Sequence, residues 1–205
     1  GMGLSEATGD VSCAEYYEAL REGQVGGTMT YGNDLQSSIG QLDNAYTPLQ
    51  MANYVATLAN DGTRMRSHLV KSVESYNLEE TISVTEPEVL NQVEADQEAF
   101  DQVREGMVRC SRDTTRGSAR YYFGDYPIDV AAKTGTPQAS GGDLDATFIA
   151  YAPAYDPEIA VAVVVENGYS GQRGAPIAKA IFNEYFGLNE ETETQQQNTD
   201  GQLIP

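Results

Sequence analysis

An α+β fold is what the sequence predicts, on three observations. Helical and strand-like patterns are segregated along the chain rather than alternating, which argues against a parallel βαβ sheet. A helix written out with its own start and stop signals lies around residue 50. Two nearly continuous apolar runs, 146–152 and 159–165, lie in the last third, and the connection from Pro153 to Glu158 suits an antiparallel hairpin.

Taken in order, residues 1–41 are rich in Gly and Ser and read as loop, with one short helix over 13–22. Thr47 is a helix N-cap, Pro48 fits the first helical position, and Gln50 completes a capping box. Met51, Ala52, Val55, Leu58 and Ala59 then recur at helical spacing until Asn60-Asp61-Gly62 stops the helix. Residues 64–73 and 81–85 read as short strands. A second helix is predicted over 93–110, with Phe100, Val103, Met107 and Cys110 on one apolar face. Ile128, Val130 and Ala132 alternate with Asp129, Ala131 and Lys133, the period of a strand. The two apolar runs follow. A last helix from Pro176 carries Ile177, Ile181, Phe182 and Tyr185 and stops at Gly187. The polar tail, 189–205, is expected to be disordered.

Length and charge bound the function. The 205 residues suit one domain, and 40% hydrophobic with 9% aromatic residues is enough for a core. Twelve Lys and Arg face 31 Asp and Glu, a formal charge of −19. A field of that sign repels phosphate backbones and anionic headgroups, so nucleic acid is excluded as a partner. No apolar run reaches the ~18 residues of a membrane helix, and no signal-peptide pattern opens the chain. Cys13 and Cys110 belong to no metal-ligand spacing, and His68 is the only histidine, so no metal site is expected. The chain has no P-loop and no GxGxxG, and no cofactor is expected. The charge is also uneven: residues 74–105 hold ten acids against the single base Arg104. Arg109, Arg112, Arg116 and Arg120 follow around Asp113. They read either as a basic loop after a solvated helix face, or as a positive approach to an anionic substrate group.

The segment that carries chemistry is Lys133-Thr134-Gly135-Thr136. An ammonium and adjacent hydroxyls suit a carboxylate, a glycine lets a substrate backbone lie along the strand, and an N–H beyond it can face an oxyanion. Alternation puts Lys133 on one face of the strand and Thr134 and Thr136 on the other. They converge only where the strand is an edge that a ligand approaches sideways.

Around this triplet lie Ser38-Ile39-Gly40-Gln41, Thr47-Pro48-Leu49-Gln50-Met51-Ala52, Ala59-Asn60-Asp61-Gly62 and Pro87-Glu88-Val89-Leu90. Val103 to Val108, Tyr151-Ala152-Pro153, Ala160 to Val165 and Ala175-Pro176-Ile177-Ala178 complete the pattern. In this order they resemble the transpeptidase domain of the penicillin-binding proteins, nearest to the monofunctional class B enzymes. The resemblance covers about residues 38–187. It implies a β-lactamase/transpeptidase-like fold, a mainly antiparallel five-stranded sheet with helices on both faces. It also implies serine acyl transfer on D-Ala-D-Ala stem peptides, blocked by β-lactams. Carried over residue by residue, Lys133 sets the electrostatics of the site, Thr134 and Thr136 hold the substrate carboxylate, and Gly135 leaves the edge open. The N–H of Thr136 makes half of the oxyanion hole. Ala131-Ala132 departs from the Ala-Gly that many members carry before the lysine.

The family's nucleophile is the serine of an S-x-x-K box. Three residues before Lys71, Lys133 and Lys179, the three lysines of the chain, stand His68, Val130 and Pro176, so the box is absent. The one S-x-N, at Ser75-Tyr76-Asn77, follows the Thr47-Pro48 helix, whereas the family places that box before it. The chain therefore reads as a C-terminal portion of such a domain: residues 1–41 its loop-rich lead, 42–188 about three of its strands with their helices. It is expected to be inactive alone, with the parent on the extracytoplasmic face of a bacterial membrane, its anchor outside these residues, among cell-wall synthesis proteins. A sheet edge left open by such a cut is a place where a second copy could pair. A non-catalytic binding or assembly module on the same fold is the alternative, and a hydrolase using His68 is a weaker third.

Overall fold

The computed structural model describes residues 7–23, 29–138 and 143–189. Six helices are described: α1 (Ala14–Gly23), α2 (Tyr31–Ser38), α3 (Pro48–Ala59), α4 (Gln97–Arg112), α5 (Arg120–Phe123) and α6 (Ala175–Tyr185). Seven strands accompany them: β1 (Thr63–Met65), β2 (Ser72–Glu74), β3 (Thr81–Val84), β4 (Val89–Gln92), β5 (Ala131–Gly135), β6 (Ala146–Ala152) and β7 (Ile159–Val165). A 3-10 turn, Gly171–Gly174, leads into α6.

The centre is an antiparallel sheet in the order β5-β6-β7. Ala131 faces Tyr151 and Gly135 faces Thr147, while Ala146 faces Val165 and Ala152 faces Ile159, so β6 is paired along its whole length on the β7 side. Both faces of this sheet are covered, which is why β6 and β7 read as continuous apolar runs rather than alternating ones. On one face Ala132, Phe148, Ala150, Val161 and Val163 meet Phe123, Tyr126, Ala175, Ala178 and Phe182. Phe123 stacks on Phe148 at 6.1 Å and meets Phe182 edge-on at 6.1 Å. On the other face Ala131, Ile149 and Tyr151 meet Val55 and Ala59 of α3 and Met107 and Val108 of α4. Each large side chain so buried contributes about 1.5–3 kcal/mol.

α3 is built as its sequence is written: Thr47 Oγ1 accepts from the Gln50 N–H at 3.2 Å and Gln50 Oε1 accepts from the Thr47 N–H at 2.8 Å. Elsewhere the structure departs from the sequence pattern. The lead segment holds a second helix, α2, capped reciprocally by Thr30 and Asn33. The stretch 64–73 splits into β1 and β2, which belong to two separate two-stranded ladders, β1 with β4 and β2 with β3. Each ladder carries a register shift, so neither reads as a clean alternation. The helix expected from residue 93 begins at Gln97; the Val93 N–H donates to the Gly62 carbonyl at 2.9 Å and carries the β1–β4 pairing one residue further. Its buried face runs through Phe100, Met107, Val108 and Ser111, and Val103 is exposed. In α6 the sheet is met by Ala175, Ala178 and Phe182, while Ile177, Ile181 and Tyr185 are exposed. Two alanines let the helix approach the sheet closely, and a single phenylalanine fills the remaining space. The tail expected to be disordered falls, from residue 190 on, outside the described residues. No helix among the described residues is long and apolar enough to cross a membrane.

Candidate active site

β5 lies at an edge: among the described residues β6 is its only neighbour. The strand's other side presents main-chain N–H and C=O groups that a ligand can pair with, as in strand addition. Lys133 is exposed and belongs, with Ala131, to the face toward α3 and α4. Its Nζ donates to the carbonyl of Thr134 at 2.5 Å, which folds the ammonium back onto its own strand. Thr134 belongs with Ala132 to the opposite face and is half-buried. Its Oγ1 lies 2.9 Å from Ser118 Oγ, which in turn lies 3.1 Å from Cys110 Sγ. Thr136, just past the strand, is exposed, and its Oγ1 accepts the Gly171 N–H at 3.1 Å.

The 3-10 turn is what holds Thr136. A side chain at Gly171 is impossible without movement: its Cβ would stand 2.4 Å from the Gly135 carbonyl oxygen and 2.7 Å from the Gly135 nitrogen. The two glycines thus allow main chain to lie on main chain. Beyond Thr136 a bridge between Gln138 and Leu144 closes the β5–β6 connection. There a cavity of about 510 Å³ opens between Thr136, Gln138 and Leu144 on one side and Gln36, Ile39, Gln41 and Leu42 on the other. α2 and the turn after it therefore form the far wall of the space beside Thr136. Sequence reasoning missed this wall. Its one signal was Ser38-Ile39-Gly40-Gln41, read as a likeness but given no place.

Of the four arginines, two are tied into the fold by their side chains. Arg112 is structural: it pairs with Asp129 at 2.8 Å and donates to the carbonyls of Phe123 at 3.2 Å and Gly124 at 2.8 Å. Arg120 lies 4.2 Å over the Tyr121 ring and donates to the Gly117 carbonyl at 2.8 Å. Arg109 and Arg116 are exposed. Asp113 is held below the usual carboxylate range by the N–H groups of Arg116 and Thr115, which it accepts at 2.9 and 2.8 Å. Arg104 joins α4 to the end of α3 through Asp61 at 2.6 Å. Burial pushes the nearby Tyr151 phenol up, with Arg104 opposing.

The literal S-x-N is turn chemistry: Ser75 Oγ donates to Asn77 Oδ1 at 2.7 Å inside the β2–β3 turn. His68 is exposed in the connection between β1 and β2. A second cavity, about 400 Å³, lies between α5 and α6 around Arg120, Tyr126, Lys179 and Asn183. It includes none of the four residues from Lys133 to Thr136.

Residues 6–187 match the family model described as the penicillin binding protein transpeptidase domain. The chain is 36% identical over 200 residues to penicillin-binding protein 2A of Bacillus subtilis, covering 87% of this chain and 27% of that protein. It is 40% identical over 156 residues to the peptidoglycan D,D-transpeptidase PbpA of Mycolicibacterium smegmatis, covering 71% and 30%. Among solved structures, the imipenem acyl-enzyme complex of penicillin-binding protein A from M. tuberculosis superposes with a TM-score of 0.66 at 34% identity. That match covers 78% of this chain and 35% of the other. The chain thus spans less than a third of the length of these two curated relatives. With a family match running from residue 6 to residue 187, the chain belongs to the penicillin-binding protein transpeptidase domain family.

Proposed function

We propose that this chain is part of a serine-type D,D-transpeptidase of bacterial cell-wall synthesis, and that it supplies the Lys133, Thr134, Gly135, Thr136 wall of the active site. The observation that carries this reading is the placement of Lys133, Thr134 and Gly135 on an open sheet edge with Thr136 just past it, the hydroxyls of Thr134 and Thr136 each held by a partner. In this reading the stem peptide, ending in D-Ala-D-Ala, lies along the edge of β5. Thr134 and Thr136 donate to its terminal carboxylate, and the Lys133 ammonium supplies the attractive field. The N–H of Thr136 faces the oxygen that becomes negative when the carbonyl is attacked. A β-lactam takes the same place in this reading; the M. tuberculosis relative is known as an imipenem acyl-enzyme complex.

The attacking serine is not in this sequence, since none of the three lysines is preceded by serine at the required spacing. Removing one member of a catalytic unit removes nearly all of its effect, so the chain alone is inactive. The parent works on the extracytoplasmic face of the membrane with other cell-wall synthesis proteins. The same absence favours a second reading, a non-catalytic binding or assembly module. Upstream sequence separates the two: an S-x-x-K followed by an S-x-N supports the enzyme, a native start at Met2 the module. The direct test is labelling with a reporter β-lactam and intact-mass analysis. The expected result is no adduct on the 205 residues and one per molecule on an upstream-extended protein. An adduct on the short chain overturns the assignment of the nucleophile.

A further inference from the structure

We propose that Ser118 is a positioning residue for Thr134, the middle of a relay from Cys110 that turns the Thr134 proton toward the ligand. This rests on the reading that Thr134 donates to a substrate carboxylate. The three groups form one line: Cys110 Sγ to Ser118 Oγ at 3.1 Å, Ser118 Oγ to Thr134 Oγ1 at 2.9 Å. All three residues are half-buried.

The sense of the line follows from the chemistry of its ends. Each hydroxyl has one proton and two lone pairs, and a thiol is a weak donor and a weaker acceptor. The Ser118 proton is therefore better placed on the threonine oxygen than on sulfur, and the thiol proton on the serine oxygen. With its oxygen already accepting, Thr134 has its own proton free to donate outward. Were the line reversed, Thr134 would present lone pairs to an anion and repel it. Hydrogen bonds in series polarise one another, so each donor upstream strengthens the last one.

The turn between α4 and α5 is shaped to deliver Ser118 to this position. Asp113 Oδ1 accepts the N–H groups of Thr115 and Arg116 and bends the chain out of α4. Gly117 passes so close to the helix end that a Cβ would lie 2.6 Å from the Asp113 oxygen and 2.7 Å from the Cys110 oxygen. The Ala119 N–H then returns to the Cys110 carbonyl at 2.9 Å, so Ser118 is clamped on both sides.

The test compares acylation of the upstream-extended protein by benzylpenicillin and by its methyl ester, which lacks the carboxylate. Ser118→Ala is expected to lower the acid-over-ester preference roughly five- to tenfold, with the ester rate unchanged. Ser118→Thr restores the preference, and Cys110→Ala lowers it by a smaller factor than Ser118→Ala. Should Ser118→Ala fail to fold, Ser118→Cys, close in shape but a poorer hydrogen-bonding group, carries the same ratio. A loss shared equally by acid and ester, or no change in either, overturns the relay. Thr134→Val separates the two layers. If it leaves the preference intact, the carboxylate reading fails. If it abolishes the preference while Ser118→Ala does not, only the relay fails. An extended protein acylated by neither compound overturns both.

Discussion

Gly135 and Gly171 meet without a side chain between them, and the consequence is felt at Thr136. Gly171→Ala places a methyl 2.4 Å from a backbone oxygen that cannot rotate away, so either β5 or the 3-10 turn must move. The expected cost is about 1–3 kcal/mol, the usual range for overpacking a fitted site. Chemical denaturation measures it, and loss of the Thr136 hydroxyl's bond to the turn should accompany it. Wild-type stability in Gly171→Ala would show that the turn is free to retreat. Lys133 is the contrasting case. Among the described residues its ammonium is hydrogen-bonded only to the carbonyl of the next residue, so on the proposed reading it can swing toward a carboxylate by giving up that one bond.

The elements differ in how much of themselves they carry locally. α3 holds its own start signals, and Thr47→Ala removes one half of a reciprocal cap, with an expected loss of about 1 kcal/mol. The check is a lower urea midpoint at unchanged slope. For the same reason α3 was legible in the sequence, and β6 and β7 were legible because both faces of the sheet are buried. α2 was not: it is short, buries no residue, and its cap uses Asn33 where a Glu or Gln is the usual signal. β4 was missed because its side chains are exposed and its partner, β1, lies more than twenty residues earlier. At the site, Lys133 through Thr136 were visible as a motif and their edge position was anticipated as a condition. Ser118 and Gly171 were not visible, since their bonds to Thr134 and Thr136 span sixteen and thirty-five residues and exist only after the sheet has formed.

For the whole molecule, the formal charge of −19 sits on a body whose three-stranded sheet has an unpaired edge on each side among the described residues, at β5 and at β7. Apolar edge strands invite pairing, while like charge opposes it until salt screens it. The 205-residue chain is therefore expected to sediment as a monomer at about 0.01 M salt and to associate as ionic strength approaches about 1 M. An unchanged sedimentation coefficient across that range would remove edge pairing as a mode of self-association. The open β5 edge has another consequence. What it offers a ligand is largely main chain, flanked by a glycine that touches a second glycine. Only proline removes a main-chain donor; every other substitution leaves the peptide groups in place. On the proposed reading, variation that weakens an inhibitor bound along this edge works by displacing the strand or silencing a hydroxyl, through neighbours such as Gly171 and Ser118, or by removing the Lys133 charge. A substrate bound along the same edge, as proposed, is disturbed by the same route, so escape from a backbone-reading inhibitor then carries its own penalty.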